Sequence, residues 1–177
     1  MHNHDILIRV RYALDIKNKD MVEIFKLGGV NVTQEEVMEM LTKPKEDDYD
    51  EYDDDDVDFY EYEEEEDTIK CNNKMMESFL NGLIIFKRGK QEPKPGQPES
   101  PAPTGKESVN NVLLKKLKIA LTLTSEDMIE ILGDAGVNIT KGELGAILRK
   151  EGHRNYKQCG DRYARNFLKG LTLKYRG

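Results

Sequence analysis

Residues 3–42 and 70–89 recur, nearly position for position, at 110–149 and 158–177, so this chain must build the same unit twice. With a shift of 107, Leu7 falls on Leu114 and Ala13 on Ala120. Asp20-Met21-Val22-Glu23-Ile24 falls on Asp127-Met128-Ile129-Glu130-Ile131, and Gly29-Val30-Asn31-Val32-Thr33 on Gly136-Val137-Asn138-Ile139-Thr140. Beyond residue 70 the shift is 88: Cys71 meets Cys159, Phe79-Leu80 meets Phe167-Leu168, and Arg88-Gly89 meets Arg176-Gly177. The 19-residue difference coincides with an acidic run, which is therefore an elaborated loop in the first copy rather than part of the repeated unit.

Each copy reads as four helices. Ile6, Leu7, Val10, Ala13 and Leu14 recur at helical spacing, as do Leu113, Leu114, Leu117, Ala120 and Leu121. A second helix begins near Asn18 or Thr124 and presents Met21, Ile24 and Phe25, matched by Met128, Ile131 and Leu132. Gly29 and Gly136 stand where a left-handed residue stops it. The third helix opens with a capping box in both copies, Thr33 to Glu36 and Thr140 to Glu143. The fourth carries Met76, Phe79, Leu80, Leu83 and Ile84, matched by Ala164, Phe167, Leu168, Leu171 and Thr172. Gly82 and Gly170 inside it, at about 1 kcal/mol each against Ala, predict close helix approach. Asn3, Asn110, Asp20 and Asp127 read as helix caps. The expected fold is all-α, two tandem four-helix units packed with pseudo-twofold symmetry. One copy alone, at roughly 60 residues, would be marginal, and packing through equivalent faces enlarges the core.

The expected layout is a first repeat over 1–90, a Pro-rich linker over 91–108 and a second repeat over 109–177, with a disordered acidic insert at about 45–67. The net charge of −7 hides a division. Glu46 to Asp67 holds 16 acidic residues and no Lys or Arg, which leaves 18 acids against 27 bases elsewhere. From Glu107 to Gly177 there are 13 bases and 8 acids. Such an acidic stretch resists burial and reads as a solvated loop. Its Tyr49, Tyr52, Phe59, Tyr60 and Tyr62 leave open an acidic-aromatic segment that folds on a partner or masks the chain's own basic face. The linker carries Pro93, Pro95, Pro98, Pro101 and Pro103 and is expected to be extended. No run approaches the ~18 apolar residues of a membrane span, the N-terminus does not read as a secretory signal, and two cysteines make no disulfide framework. A cytoplasmic chain with reduced thiols and no membrane partner is expected.

The opening Asn before an apolar helix, the Asp-Met-hydrophobic-Glu-Ile helix and the Phe-Leu-x-Gly-Leu closing helix resemble the YehS-like bacterial family, a domain of unknown function (DUF1456) usually found in two tandem copies. The matching residues are Asn3, Asp20, Phe79, Leu80, Gly82 and Leu83, with Asn110, Asp127, Phe167, Leu168, Gly170 and Leu171. The resemblance implies the duplicated helical unit and carries over no catalytic residue. The long acidic insert departs from that family's compact form.

Chemistry-bearing motifs are sparse. His2, His4 and His153 have no helical i, i+4 partner for a metal, and the Asp53 to Asp56 run lacks the turn glycine of a calcium loop. Cys71 and Cys159 precede the last helix, where a helix N-terminus can depress a thiol pKa; packing explains their duplication more simply. No phosphate loop, dinucleotide fingerprint or nucleophile elbow is present, so no catalytic, cofactor-binding or metal-binding residue is nominated. The second and third helices suggest a helix-turn-helix, but the apolar residues sit at Val37, Met40 and Leu41, too late after Gly29 for that motif, and Gln34, Glu35, Glu36 and Glu39 would repel phosphate. An ordinary packed hairpin is expected. The second copy holds the candidate phosphate contacts: Lys115, Lys116, Lys118, Arg149, Lys150, Arg154, Arg162, Arg165 and Lys169, with Tyr156, Tyr163 and Tyr175 nearby. The functional expectation is a non-enzymatic protein-interaction or regulatory module whose partner is another protein. Nucleic-acid binding through the second copy, with the analogous Arg9 and Arg11 region, comes second, and a small enzyme with a site between the copies third.

Overall fold

In a computed structural model the chain is described over residues 2–41, 71–89, 107–150 and 152–176. The acidic insert and all but the end of the Pro-rich linker lie outside the described residues. The first copy forms α1 (Asn3–Ala13), α2 (Asn18–Leu27), α3 (Gln34–Leu41) and α4 (Asn73–Arg88). The second forms α5 (Val109–Ala120), α6 (Ser125–Asp134), α7 (Lys141–Leu148) and α8 (Asp161–Arg176). No strand occurs among the described residues, and no helix there is long and apolar enough to cross a membrane.

Helix boundaries follow local chemistry. Thr140 accepts from the Glu143 amide and its own amide donates back to the Glu143 carboxylate; Thr33 and Glu36 form the same box on α3. Thr124 and Asp127 cap α6 in this way, so Asp127 is a capping partner as expected. α2 has Lys17 at the equivalent N-cap and no side-chain cap, so Asp20 does not cap. Both second helices end in a Schellman motif. Gly29 N donates to Lys26 O and Val30 N to Phe25 O, with Gly136 and Val137 repeating this on Gly133 and Leu132. The glycines stand at φ 95° and 89°, as that motif requires. α1 and α5 close identically, yet their left-handed residues are Asp15 (φ 53°) and Thr122 (φ 54°).

Within each copy the second helix packs on the fourth and the third bridges the first and second. Between copies, α4 packs on α5 and α8 packs on α1. These two seams exchange under the duplication, which gives the expected pseudo-twofold arrangement. One buried core results, drawn from both copies, with Phe25 and Phe79 at 4.9 Å between ring centroids. Gly82 and Gly170 act by absence: a Cβ there would lie 1.8 Å from Ile24 O or 2.2 Å from Ile131 O.

Asn3 and Asn110 are not caps. Each stands inside the first turn of its helix and donates to a carbonyl ahead of the copy's last helix. Asn3 Nδ2 reaches Cys71 O at 2.8 Å, and Asn110 Nδ2 reaches Cys159 O at 3.2 Å. Both also reach the last helix's first residue, Asn73 or Asp161. They tether the first helix to the last.

Candidate functional site

The candidate cations divide by where the fold puts α5. Residues Asn111 to Leu114 of this helix are all buried, because α4, α7 and α8 surround it. Lys115 and Lys116, which follow on the same helix, are half-buried. Lys115 is paired with Glu107 and lies 5.5 Å from the Tyr156 ring centroid. Burial at the α4–α5 seam pulls the Lys116 ammonium below its ordinary value, while Glu77 and Glu107 pull it back. Carboxylates of the chain itself thus act on both lysines. Lys118 is half-exposed.

The remaining six candidates are exposed: Arg149, Lys150 and Arg154 between α7 and α8, and Arg162, Arg165 and Lys169 along α8. From Arg149 to Arg176 the sequence has nine bases and two acids. Among the described residues, no salt bridge engages any of the six. The connection that carries three of them is held by Asn111, which is fully buried. Its amide donates to Ile147 O and Lys157 O, and its Oδ1 accepts from Cys159 N at 2.8 Å. Buried polar groups must be satisfied, and here one side chain closes both ends of a loop. Copy one has His4 at this place, the copy in which the insert interrupts the same connection.

A contact between copies was not legible beforehand. Arg176 on α8 pairs with Asp15 at 3.0 Å and lies 4.3 Å above the Tyr12 ring, both at the end of α1. Tyr12 is nevertheless 53 % exposed, and Leu173 and Tyr175 are also exposed. On α3, the helix that would read a groove, the exposed residues are Gln34, Glu35, Met38 and Glu39, an acidic face unsuited to DNA.

Nothing reactive is assembled among the described residues. Cys71 and Cys159 are free and buried, and burial pushes both thiols up to about 12, the reverse of an activated thiol. No group of three metal-ligating side chains comes together there. The crevice where α4 meets α5, lined by Asn73, Met76, Glu77, Glu107, Val109 and Val112, encloses no space for a water molecule.

Comparison with known proteins agrees with this architecture. The model of the family described as "Protein of unknown function (DUF1456)" matches residues 3–89 and 110–177, the two copies of the unit. The chain is similar to "Uncharacterized protein YehS" of Escherichia coli (strain K12), 36 % identical over 175 residues that cover 98 % of this chain and 96 % of the relative. No solved structure matches.

Proposed function

Since this chain belongs to the DUF1456 family, whose description names no activity, function has to be argued from its own residues, and we propose that it is a non-enzymatic binding module whose partner is a polyanion, nucleic acid before any other. One observation carries this reading: six exposed cations of the second copy stand together on α8 and the connection before it, with no salt-bridge partner among the described residues. Cations that a fold leaves uncompensated on one face are an electrostatic footprint for phosphate. The cytoplasmic setting expected from the sequence belongs to the same proposal.

The protein-interaction or regulatory reading keeps one observation in its favour. Tyr12, Leu173, Tyr175 and Arg176 sit exposed or half-exposed at the ends of α1 and α8, and Tyr and Arg are the residue types that anchor protein interfaces. Affinity purification from the native cell, with and without nuclease, separates the two. The polyanion reading expects the retained material to disappear with nuclease and to elute progressively with salt. Protein partners that survive nuclease treatment would replace it with the interaction reading.

A further inference from the structure

We propose that the α1–α8 seam, and not the second copy alone, is a track for single-stranded nucleic acid. This deepens the polyanion reading, on which it rests, by assigning the work to cations from both copies.

The duplication makes two seams of one design, so their residue differences report use rather than fold. In the α4–α5 seam, Lys116 answers Glu77. At the equivalent places in the α1–α8 seam stand Arg9 and Arg165, two like charges where the sister seam has opposite ones. Along α8 the substitution continues: Lys169 replaces Asn81. Arg9, Arg165 and Lys169 are exposed, and none makes a salt bridge among the described residues, although Asp161, one turn earlier on α8, offsets part of the Arg165 charge. Like charges on packed helices repel unless an anion sits between them, and a phosphate backbone supplies anions in a row.

The aromatic differences point the same way. Tyr12 stands where the sister seam has Ile119, and Tyr175 where it has Lys87. Both rings are exposed, at 53 % and 43 %. A guanidinium lies over Tyr12, so one face of that ring is taken and held, and its orientation is fixed for a base to meet its edge or outer face. Cations that follow a backbone, with aromatic platforms beside them, are how single strands are held without sequence reading. The seam therefore fits a single strand better than a duplex, whose bases are already stacked.

The test is fluorescence anisotropy of the full chain with a labelled oligothymidylate, titrated at several salt concentrations. Variants are Arg9→Glu in copy one, Tyr12→Ala, and Arg154→Glu, equally exposed but on the connection. Arg9→Glu should weaken binding by about tenfold or more and lower the salt slope by about one. Tyr12→Ala should weaken it about tenfold, and Arg154→Glu, which leaves the seam intact, clearly less than Arg9→Glu does. If Arg9→Glu alters melting, Arg9→Gln replaces it with the same expected direction. Binding that is lost in Arg154→Glu but kept in Arg9→Glu overturns the seam while the polyanion reading survives. Absence of binding by the wild-type chain at low salt ends both. Equal affinity for duplex with no effect of Tyr12→Ala overturns the single-strand assignment, and tighter capture of poly-glutamate than of the oligonucleotide would make the surface one for acidic protein.

Discussion

Replacing Gly82 by Ala is a one-atom change whose result the packing dictates. The new Cβ would meet Ile24 O at 1.8 Å and Gly28 N at 2.9 Å. Both are backbone atoms, of α2 and of the C-cap that ends it, so no side chain can swing aside. To restore an ordinary contact the two helices must part by more than 1 Å at their crossing, loosening Phe25 against Phe79. Overpacking of this kind costs about 1–3 kcal/mol when side chains can adjust, and here the upper end applies. Helix propensity returns about 1 kcal/mol, which leaves a net loss of about 2 kcal/mol, or roughly 4–8 °C in Tm for a chain this size. Gly133→Ala supplies the control. It sits near the end of α6 with nothing within 4 Å of its would-be Cβ, and copy one already carries Lys26 at that place. The same substitution should there raise Tm by a degree or more. Thermal unfolding followed by circular dichroism measures both. If Gly82→Ala melts with the wild type, or if the two variants shift Tm in the same direction, close backbone approach is not what holds this glycine.

Three further outcomes rest on named contacts. Asn111→Ala should cost about 2–3 kcal/mol in urea denaturation, because it strands a buried amide and two carbonyls; Asn3→Ala, at a partly exposed site, should cost clearly less, and equal costs would refute the role given to Asn111. Lys17→Thr should stabilise by about 0.5–1 kcal/mol, since it offers α2 the capping partner for Asp20 that Thr124 already offers Asp127; a fall in Tm would contradict it. Unfolded thiols ionise near 9.0, whereas the folded ones stay protonated to about 12, so stability held below pH 9 is lost as pH rises from 9 towards 12. Each thiol contributes at most about 1.4 kcal/mol per pH unit in that window, and a Cys71→Ala/Cys159→Ala double variant with the same alkaline loss as wild type would refute the attribution.

What could be read beforehand was whatever depends on neighbours in sequence. The helical periodicities, the boxes at Thr33 and Thr140 and the stops at Gly29 and Gly136 are all short-range, and each is where its residue types require. The stops at Asp15 and Thr122 went unseen for a physical reason: the motif there uses residues that adopt a left-handed backbone less readily than Gly, so composition gives no sign of it. Asn3 and Asn110 were misread because a cap and a long-range tether ask for the same donor at a helix start, and only the partner 68 or 49 residues away distinguishes them. The candidate cations show the same limit: the periodicity of one helix does not tell that Lys116 lies beside Glu77 at the α4–α5 seam, or that Lys115 is paired with Glu107 and lies near the Tyr156 ring. What a duplication does permit is a comparison of copies: the first-helix position is basic in both, Arg9 and Lys116, while the last-helix position changes from Glu77 to Arg165. Periodicity alone does not say which first helix meets which last helix. Once the fold sets each first helix against the other copy's last helix, that single change becomes a difference between two seams, and it gives the α1–α8 side two bases where the α4–α5 side has a base and an acid.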